Sequence, residues 1–410
     1  MPPDLSVIIV AYRCRDALAD CLKSLGPERG TSSPDRGIAP GCGTAGLPGR
    51  GERVPRSATA GQAGRATPPI GVPEQSLDRL PDPPRGEAAP APTESALTAA
   101  GQVEDSPWRE TRRARSDVRL AVEIIVVDNA SGDGTAELVR ERFPAVRLIA
   151  NESNRGFAAA NNQGLAAATG RHVLFLNPDT IVHPGALAAM VAALDGDETL
   201  GACGPQLLSA DGSIQPSARR FPDYGALLHQ YTPLRLLRFL RGAYRRYKMA
   251  DFDFATAADV DSLMGAALAV PRRVLEEVGT FDERFFVYLE EVDLCRRIWA
   301  AGSRVRFEPA GRITHLGGVS AASATASLYF CRSLFRYIRK YHGPVSGVTR
   351  VFLLRLGMFL REGMLLVANL PAAGALALVG RQARARRRMA GARSAARFVF
   401  RDGWLSFLRA

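Results

Sequence analysis

The sequence has little cysteine, and none of it is arranged for metal or disulfide work. Its six cysteines, Cys14, Cys21, Cys42, Cys203, Cys295 and Cys331, form no CxxC pair and no zinc spacing. Most fall in apolar elements, as small core residues of a reducing compartment do. The loop after the first strand lacks a GxGxxG, and GxxxxGK followed by Ser or Thr occurs nowhere. Both absences argue against a dinucleotide dehydrogenase and a P-loop ATPase. The start, Met-Pro-Pro-Asp-Leu, lacks the basic region of a secretory leader, so the catalytic body is expected to be cytoplasmic. Long apolar spans are wanting too: Gly363 to Gly380 is an uncharged run of 18, short for a membrane span and interrupted by Pro371.

The net charge of +12 is unevenly placed. Residues 324–410 hold 16 Arg or Lys against two acids, a net of +14, which leaves 1–323 at −2. The basicity therefore says nothing about the catalytic body. With 410 residues, 46% hydrophobic and 23% charged, the chain can build a substantial core in two or three domains.

Leu5 to Tyr12 reads as a buried strand and Asp16 to Leu25 as an amphipathic helix, the first βα unit (1–25). Residues 26–121 contain 14 of the 27 prolines and no apolar period, which predicts a disordered insertion. Regular structure resumes at Val122 to Asp128, a strand, with Ser131 or Asp133 capping a helix from Thr135 to Phe143. A strand Val146 to Ala150, a helix Phe157 to Thr169, a strand Val173 to Leu176 and a helix from Pro184 to about Leu194 follow. This alternation predicts an α/β fold with a doubly wound, mainly parallel sheet over 122–323. Later segments read as strands at Gly201 to Leu208 and Ser213 to Gln215, and a basic helical region Leu227 to Tyr247. An apolar stretch Val260 to Val270, helices Pro271 to Val278 and Val292 to Ala301, and a strand Arg304 to Phe307 leading to His315 come next.

The chain is organised around His172-Val-Leu-Phe-Leu-Asn-Pro-Asp-Thr180. Its apolar run is a strand that Asn177-Pro178-Asp179 ends abruptly, so Asp179 is presented at the carboxyl edge of the sheet. Asp128-Asn129 ends a second strand at the same edge. A carboxylate at a strand end without a glycine cradle suits a base or ribose contact, and Asp179 suits a hard divalent cation bridging phosphate oxygens.

Six motifs in order make the sequence resemble the family-2 glycosyltransferases of the GT-A fold, especially the rhamnosyltransferase-like branch. They are Ser6-Val-Ile-Ile-Val-Ala-Tyr12, Ile124-Ile-Val-Val-Asp-Asn-Ala-Ser-Gly-Asp-Gly-Thr135, Asn154-Arg-Gly-Phe-Ala-Ala-Ala-Asn-Asn-Gln-Gly164 and Leu174-Phe-Leu-Asn-Pro-Asp-Thr180. Phe281-Asp-Glu-Arg-Phe-Phe-Val-Tyr-Leu-Glu-Glu-Val-Asp-Leu-Cys295 and His315-Leu-Gly-Gly-Val-Ser320 complete the set. The resemblance implies transfer of a sugar from a nucleotide donor with inversion at the anomeric carbon. It places Asp128 on the nucleobase, flanked by Ala11 and Tyr12, with Asn154, Gly156 and Asn161 lining the nucleotide pocket. Asn177 and Asp179 take the DxD position that holds Mg²⁺ or Mn²⁺ on the diphosphate, with Asn where the pattern has a first acid. His315 stands where relatives offer a further metal ligand; the alternative is a hydrogen-bonded structural histidine.

The acceptor's proton needs a carboxylate base, expected from Glu290-Glu291-Val292-Asp293. Glu291 is the first choice, Asp293 the second, and the helix N-terminus is expected to hold these acids ionised. Gly265 and Ala266 resemble the family's acceptor-side segment.

In the tail (324–410), Leu328 to Tyr341 reads as a helix with aromatic and basic faces. Val348 to Val379 is more apolar, and Arg381 to Arg397 holds seven arginines in seventeen residues. Such a tail suits an anionic membrane surface at the inner face of the cell membrane, with a transmembrane hairpin as the alternative. No stacking module accompanies the arginines, which argues against nucleic acid. The expected function is transfer of L-rhamnose from dTDP-rhamnose, or of another dTDP- or UDP-linked sugar, to a cell-envelope glycan or polyprenyl-linked acceptor. The rivals are a sugar nucleotidyltransferase and a non-catalytic glycan- or nucleotide-binding scaffold. The first needs a Gly-rich basic loop that Ala11-Tyr-Arg-Cys14 does not supply.

Overall fold

The computed structural model describes residues 2–26, 120–236, 238–317, 324–378 and 382–397. The expected insertion, 26–121, lies outside these apart from Gly26, Leu120 and Ala121 at its edges.

Strands β1 (Leu5–Ala11), β2 (Val122–Asp128), β3 (Arg147–Ala150) and β4 (His172–Leu176) are parallel neighbours in the order β3-β2-β1-β4. The sheet continues through β11 (Ala267–Pro271), β6 (Leu200–Leu208), β12 (Arg304–His315) and β5 (Thr180–Val182). Of these, β11 and β5 run antiparallel to their neighbours, so the sheet is mixed and mostly parallel.

All seven residues of β1 are buried, and alternate side chains serve opposite faces. Leu5, Val7 and Ile9 pack with helices α1 (Arg15–Ser24), α2 (Thr135–Arg142) and, farther along, α4 (Ala186–Asp195). Ile8 belongs to the other face with α3 (Phe157–Ala167), α7 (Arg272–Val278) and α8 (Glu290–Ala300). A strand covered on both sides must be apolar at every position, and each buried Val or Ile contributes about 1.5–3 kcal/mol. The doubly wound α/β expectation therefore holds.

Short strands β7 (Ile214–Gln215) and β9 (Ala258–Asp259) extend the sheet, and β8 (Ala218–Arg219) pairs with β10 (Ser262–Leu263) in a separate ribbon. Several expectations are corrected. The apolar stretch 260–270 is not one strand: the turn at Gly265 divides β10 from β11. The region 227–247 divides into α5 (Tyr224–Tyr231), two 3₁₀ turns and α6 (Arg241–Tyr247). Neither Ser131 nor Asp133 is the N-cap of α2; Gly134 is, and Asp133 Oδ1 accepts the Thr135 N–H from just outside.

The tail is helical. α9 (Ala324–His342) and α10 (Pro344–Leu378) pack on α5 and α8 through Leu227, Phe285, Leu289, Phe335, Tyr337, Ile338 and Leu354. α11 (Gln382–Arg397) returns along α10, where Arg388 donates to Asn369 at 3.0 Å. Pro371 does not end α10, which continues for seven residues beyond it. The helix packing that buries Asn369 and Ala373 outweighs the local cost of proline. Among the described residues, no helix is long and apolar enough to cross a membrane.

Candidate active site

Register places Ala11 beside Asp128 at the carboxyl edge, where the chain leaves both strands. Asp128 is nearly buried and its Oδ1 accepts the Ser131 N–H at 3.1 Å. Ser131 Oγ in turn accepts the Arg13 N–H at 3.1 Å, tying the two strand ends together. Arg13 and Ala130 hold the left-handed backbone (φ 52° and 62°), strain of the kind that collects at ligand sites. Tyr12 is half-buried, with the Arg13 guanidinium 5.3 Å from its ring centroid.

Asn129 organises the next loop. Its amide donates to Asn154 Oδ1 at 2.8 Å and to the Gly156 carbonyl at 3.2 Å. Its oxygen accepts from Asn151 and from the Arg155 N–H. Gly156 (φ 86°) is required: a Cβ there would sit 2.6 Å from the Phe286 carbonyl oxygen. Asn161, expected to line the pocket, is 1% exposed and donates to the Phe157 carbonyl of its own helix, so its amide serves packing.

The turn after β4 is held from three sides. Asn177 N–H donates to the Ala266 carbonyl at 2.9 Å, Thr180 Oγ1 donates to the Asn177 carbonyl at 2.7 Å, and Leu316 N–H donates to the Asp179 carbonyl at 2.9 Å. Because β5 pairs with β12, Thr180 lies opposite His315. His315 Nε2 is consequently 3.4 Å from Asp179 Oδ1, and its Nδ1 is 2.9 Å from Gln215 Oε1. An amide oxygen only accepts, so Nδ1 is the donor to Gln215 and Nε2 is the ring nitrogen turned toward Asp179. A carboxylate and an imidazole nitrogen, with no third His, Cys, Asp or Glu grouped with them among the described residues, do not make a closed metal cage. They fit Mg²⁺ or Mn²⁺ when a diphosphate and water supply the remaining oxygens.

Opposite stands the start of α8. Tyr288 and Leu289 precede it with φ of 72° and 67°, two consecutive left-handed non-glycine residues. Glu290 is 4% exposed, Glu291 is half-buried, and each has a buried Oε2 without a hydrogen-bond partner. Burial pushes Glu291 up to about 7 and Glu290 well above its ordinary value, the latter also through the neighbouring charge of Glu291. This corrects the expectation that the helix N-terminus keeps them ionised. Backbone N–H groups do lower Glu291, but desolvation outweighs them.

Gly265 lies flat on Glu291, where a Cβ would come within 3.5 Å of the glutamate Cβ and Cγ. Ala266 is buried and takes part through its carbonyl. Asp293 is corrected as well. It is fully buried, with Oδ1 taken by Lys340 at 2.6 Å and Tyr341 at 2.7 Å, and Oδ2 by Arg297 at 3.0 Å. A carboxylate so enclosed, fully buried and held by two cations and a hydroxyl, anchors α8 to α9 and is closed to a substrate proton.

Sequence reasoning placed Asn129 at the sheet edge without giving it a role, and passed over Gln215 and Phe286. Asn129 lay inside a quoted motif and carried a usable signal. Gln215 and Phe286 gave none, since their partners stand 100 and 130 residues away in the chain.

Residues 112–258 match the family described as "Glycosyl transferase family 2". The chain is 31% identical over 227 residues to an N-acetylglucosaminyl-diphospho-decaprenol L-rhamnosyltransferase of Mycobacterium tuberculosis (strain ATCC 25618 / H37Rv). That alignment covers 51% of this chain and 73% of the relative. It is 37% identical over 105 residues to succinoglycan biosynthesis protein ExoO of Rhizobium meliloti (strain 1021), covering 25% of this chain and 30% of the other. Among solved structures, a mannosyltransferase of Pyrobaculum calidifontis in complex with GDP-Man and Mn²⁺ aligns over 98% of this chain and 88% of its own, at 17% identity and a TM-score of 0.45. That likeness is too remote to argue from.

Proposed function

The chain belongs to glycosyltransferase family 2, and on that premise we propose that it moves L-rhamnose from dTDP-rhamnose, with inversion, to a hydroxyl of a lipid-linked or cell-envelope glycan. The observation that carries the site reading is Glu291. It has a buried, unpartnered carboxyl oxygen at a strained helix start, against Gly265, whose neighbour Ala266 accepts the Asn177 N–H of the Asp179 turn.

In this reading Asp128, Ala11 and Tyr12 hold the base, and the Asn154–Gly156 loop borders the nucleotide. Asp179 and His315 would hold a divalent cation, whose Lewis acidity neutralises the charge of a departing diphosphate. Glu291 removes the proton of the acceptor hydroxyl as its oxygen attacks the anomeric carbon from the far side. A base near 7 suits this step, because a share of it is ionised near neutral pH and it is basic enough to take the proton.

The tail supports docking on an anionic membrane. α10 exposes Val348, Phe352, Leu356, Phe359, Leu360 and Val367 along one stripe, and α11 exposes Arg384, Arg386, Arg388 and Arg393. The donor is tested by incubating the purified chain with a panel of nucleotide sugars and following nucleoside diphosphate release. dTDP-rhamnose should be consumed fastest, and release only from another sugar would replace the donor assignment.

A further inference from the structure

Beside Glu291 lies a group of polar side chains that the proposed reaction leaves unused. β8 pairs Arg219 with Ser262, three residues before the Gly265 that covers Glu291. The N–H of Arg220 donates to the Tyr247 carbonyl at 3.0 Å, which brings the end of α6 against the same strand. Lys248 there stands 5.1 Å from the Tyr247 ring centroid and 5.8 Å from that of Tyr244.

Neighbouring cations are paired: Arg220 with Asp261 at 2.8 Å, and Arg245 with Asp251. Arg219 and Lys248 are half-buried, and neither has a carboxylate partner among the described residues. Ser217 follows the same pattern. It is 3% exposed, its Oγ has no partner, and it lies two residues before Arg219. Half-buried cations and an orphaned hydroxyl cost stability unless an anion completes them.

We propose that Ser217, Arg219 and Lys248 form a subsite for a phosphate group carried by the acceptor, so that the acceptor is a phosphate- or diphosphate-linked glycan. Lys248 lies within electrostatic reach of Arg219, whose guanidinium also donates to the Ala218 carbonyl at 2.6 Å, and guanidinium, ammonium and hydroxyl groups are the donors that grip phosphate oxygens. The subsite is joined to the Glu291 side through the pairing of Arg219 with Ser262, three residues before Gly265. Burial and the nearby Arg219 charge lower the Lys248 ammonium to about 8, as expected for a cation awaiting its counter-ion. The inference rests on Glu291 as the acceptor-side base.

Binding of geranyl diphosphate to the full chain, by calorimetry in EDTA, tests it. Without a metal, a diphosphate has nothing to bridge it to Asp179. Wild type and Glu291→Gln should bind it equally, and geraniol should not bind. Arg219→Gln and Lys248→Gln, on separate elements, should each weaken binding about tenfold or more while melting as wild type. UDP and dTDP should not displace it. Absent binding, unchanged affinity in both variants, equal affinity for geraniol, or displacement by the nucleotides would each overturn the subsite. Loss of transfer in Glu291→Gln with unchanged geranyl diphosphate affinity in the two cation variants would keep the base and discard the subsite.

Discussion

His315 Nε2 faces Asp179 Oδ1 across 3.4 Å, with Gln215 fixing the imidazole from behind at 2.9 Å. Asp179→Asn and His315→Ala should abolish Mn²⁺-dependent binding of nucleoside diphosphate. Gln215→Leu should weaken Mn²⁺ affinity by about 10–100-fold, because the imidazole loses its orienting partner. Titration of Mn²⁺ by paramagnetic resonance with UDP or dTDP present checks all three, and unchanged binding in Asp179→Asn would refute the assignment.

The pH dependence follows from Glu291. Burial raises it from its ordinary 4.5 to about 7, so the folded chain holds this proton more tightly than the unfolded one. Its contribution to stability is full below about pH 4.5 and is lost as pH rises through about 7. Activity should run the other way. kcat/KM rises through a limb near pH 7 as the base ionises, and Glu291→Gln should remove the limb with about 10²–10⁴ in rate. A pH–rate profile that is flat from 5 to 8 in wild type would exclude this base.

Asp293 should behave as an anchor. Asp293→Asn leaves Lys340 and Arg297 beside a neutral side chain, and breaking such a buried pair typically costs about 3–5 kcal/mol. The melting temperature should fall sharply, and the protein that remains folded should keep the limb near pH 7. Loss of that limb with unchanged melting would return Asp293 to the base role.

Much of the fold was legible because both faces of the sheet are covered. β1, β2 and β4 are apolar at nearly every position, and the helices between them show their spacing. Tertiary pairing was not legible. The three-residue strand β5 has no pattern of its own and exists because β12 pairs with it. Asp293 and Glu291 also looked alike in the sequence. What separates them is the approach of α9, which places Lys340 and Tyr341 on one acid and leaves the other with an unpartnered carboxyl oxygen.

The tail should bind vesicles that contain anionic phospholipid and release them as salt rises, since the arginines of α11 act through screened charge. Replacing Phe352, Leu356 and Phe359 by Asn should weaken that binding without affecting the Glu291 limb. Sedimentation with neutral and anionic vesicles measures it, and equal binding to both kinds would exclude the electrostatic part.

The most direct test is transfer itself, followed by proton NMR of the product of purified chain, dTDP-rhamnose and a diphosphate-linked N-acetylglucosamine acceptor. Wild type should form one glycoside of inverted anomeric configuration, and Glu291→Gln should form it at least about 100-fold more slowly. A product of retained configuration, or equal rates in wild type and Glu291→Gln, would contradict the account.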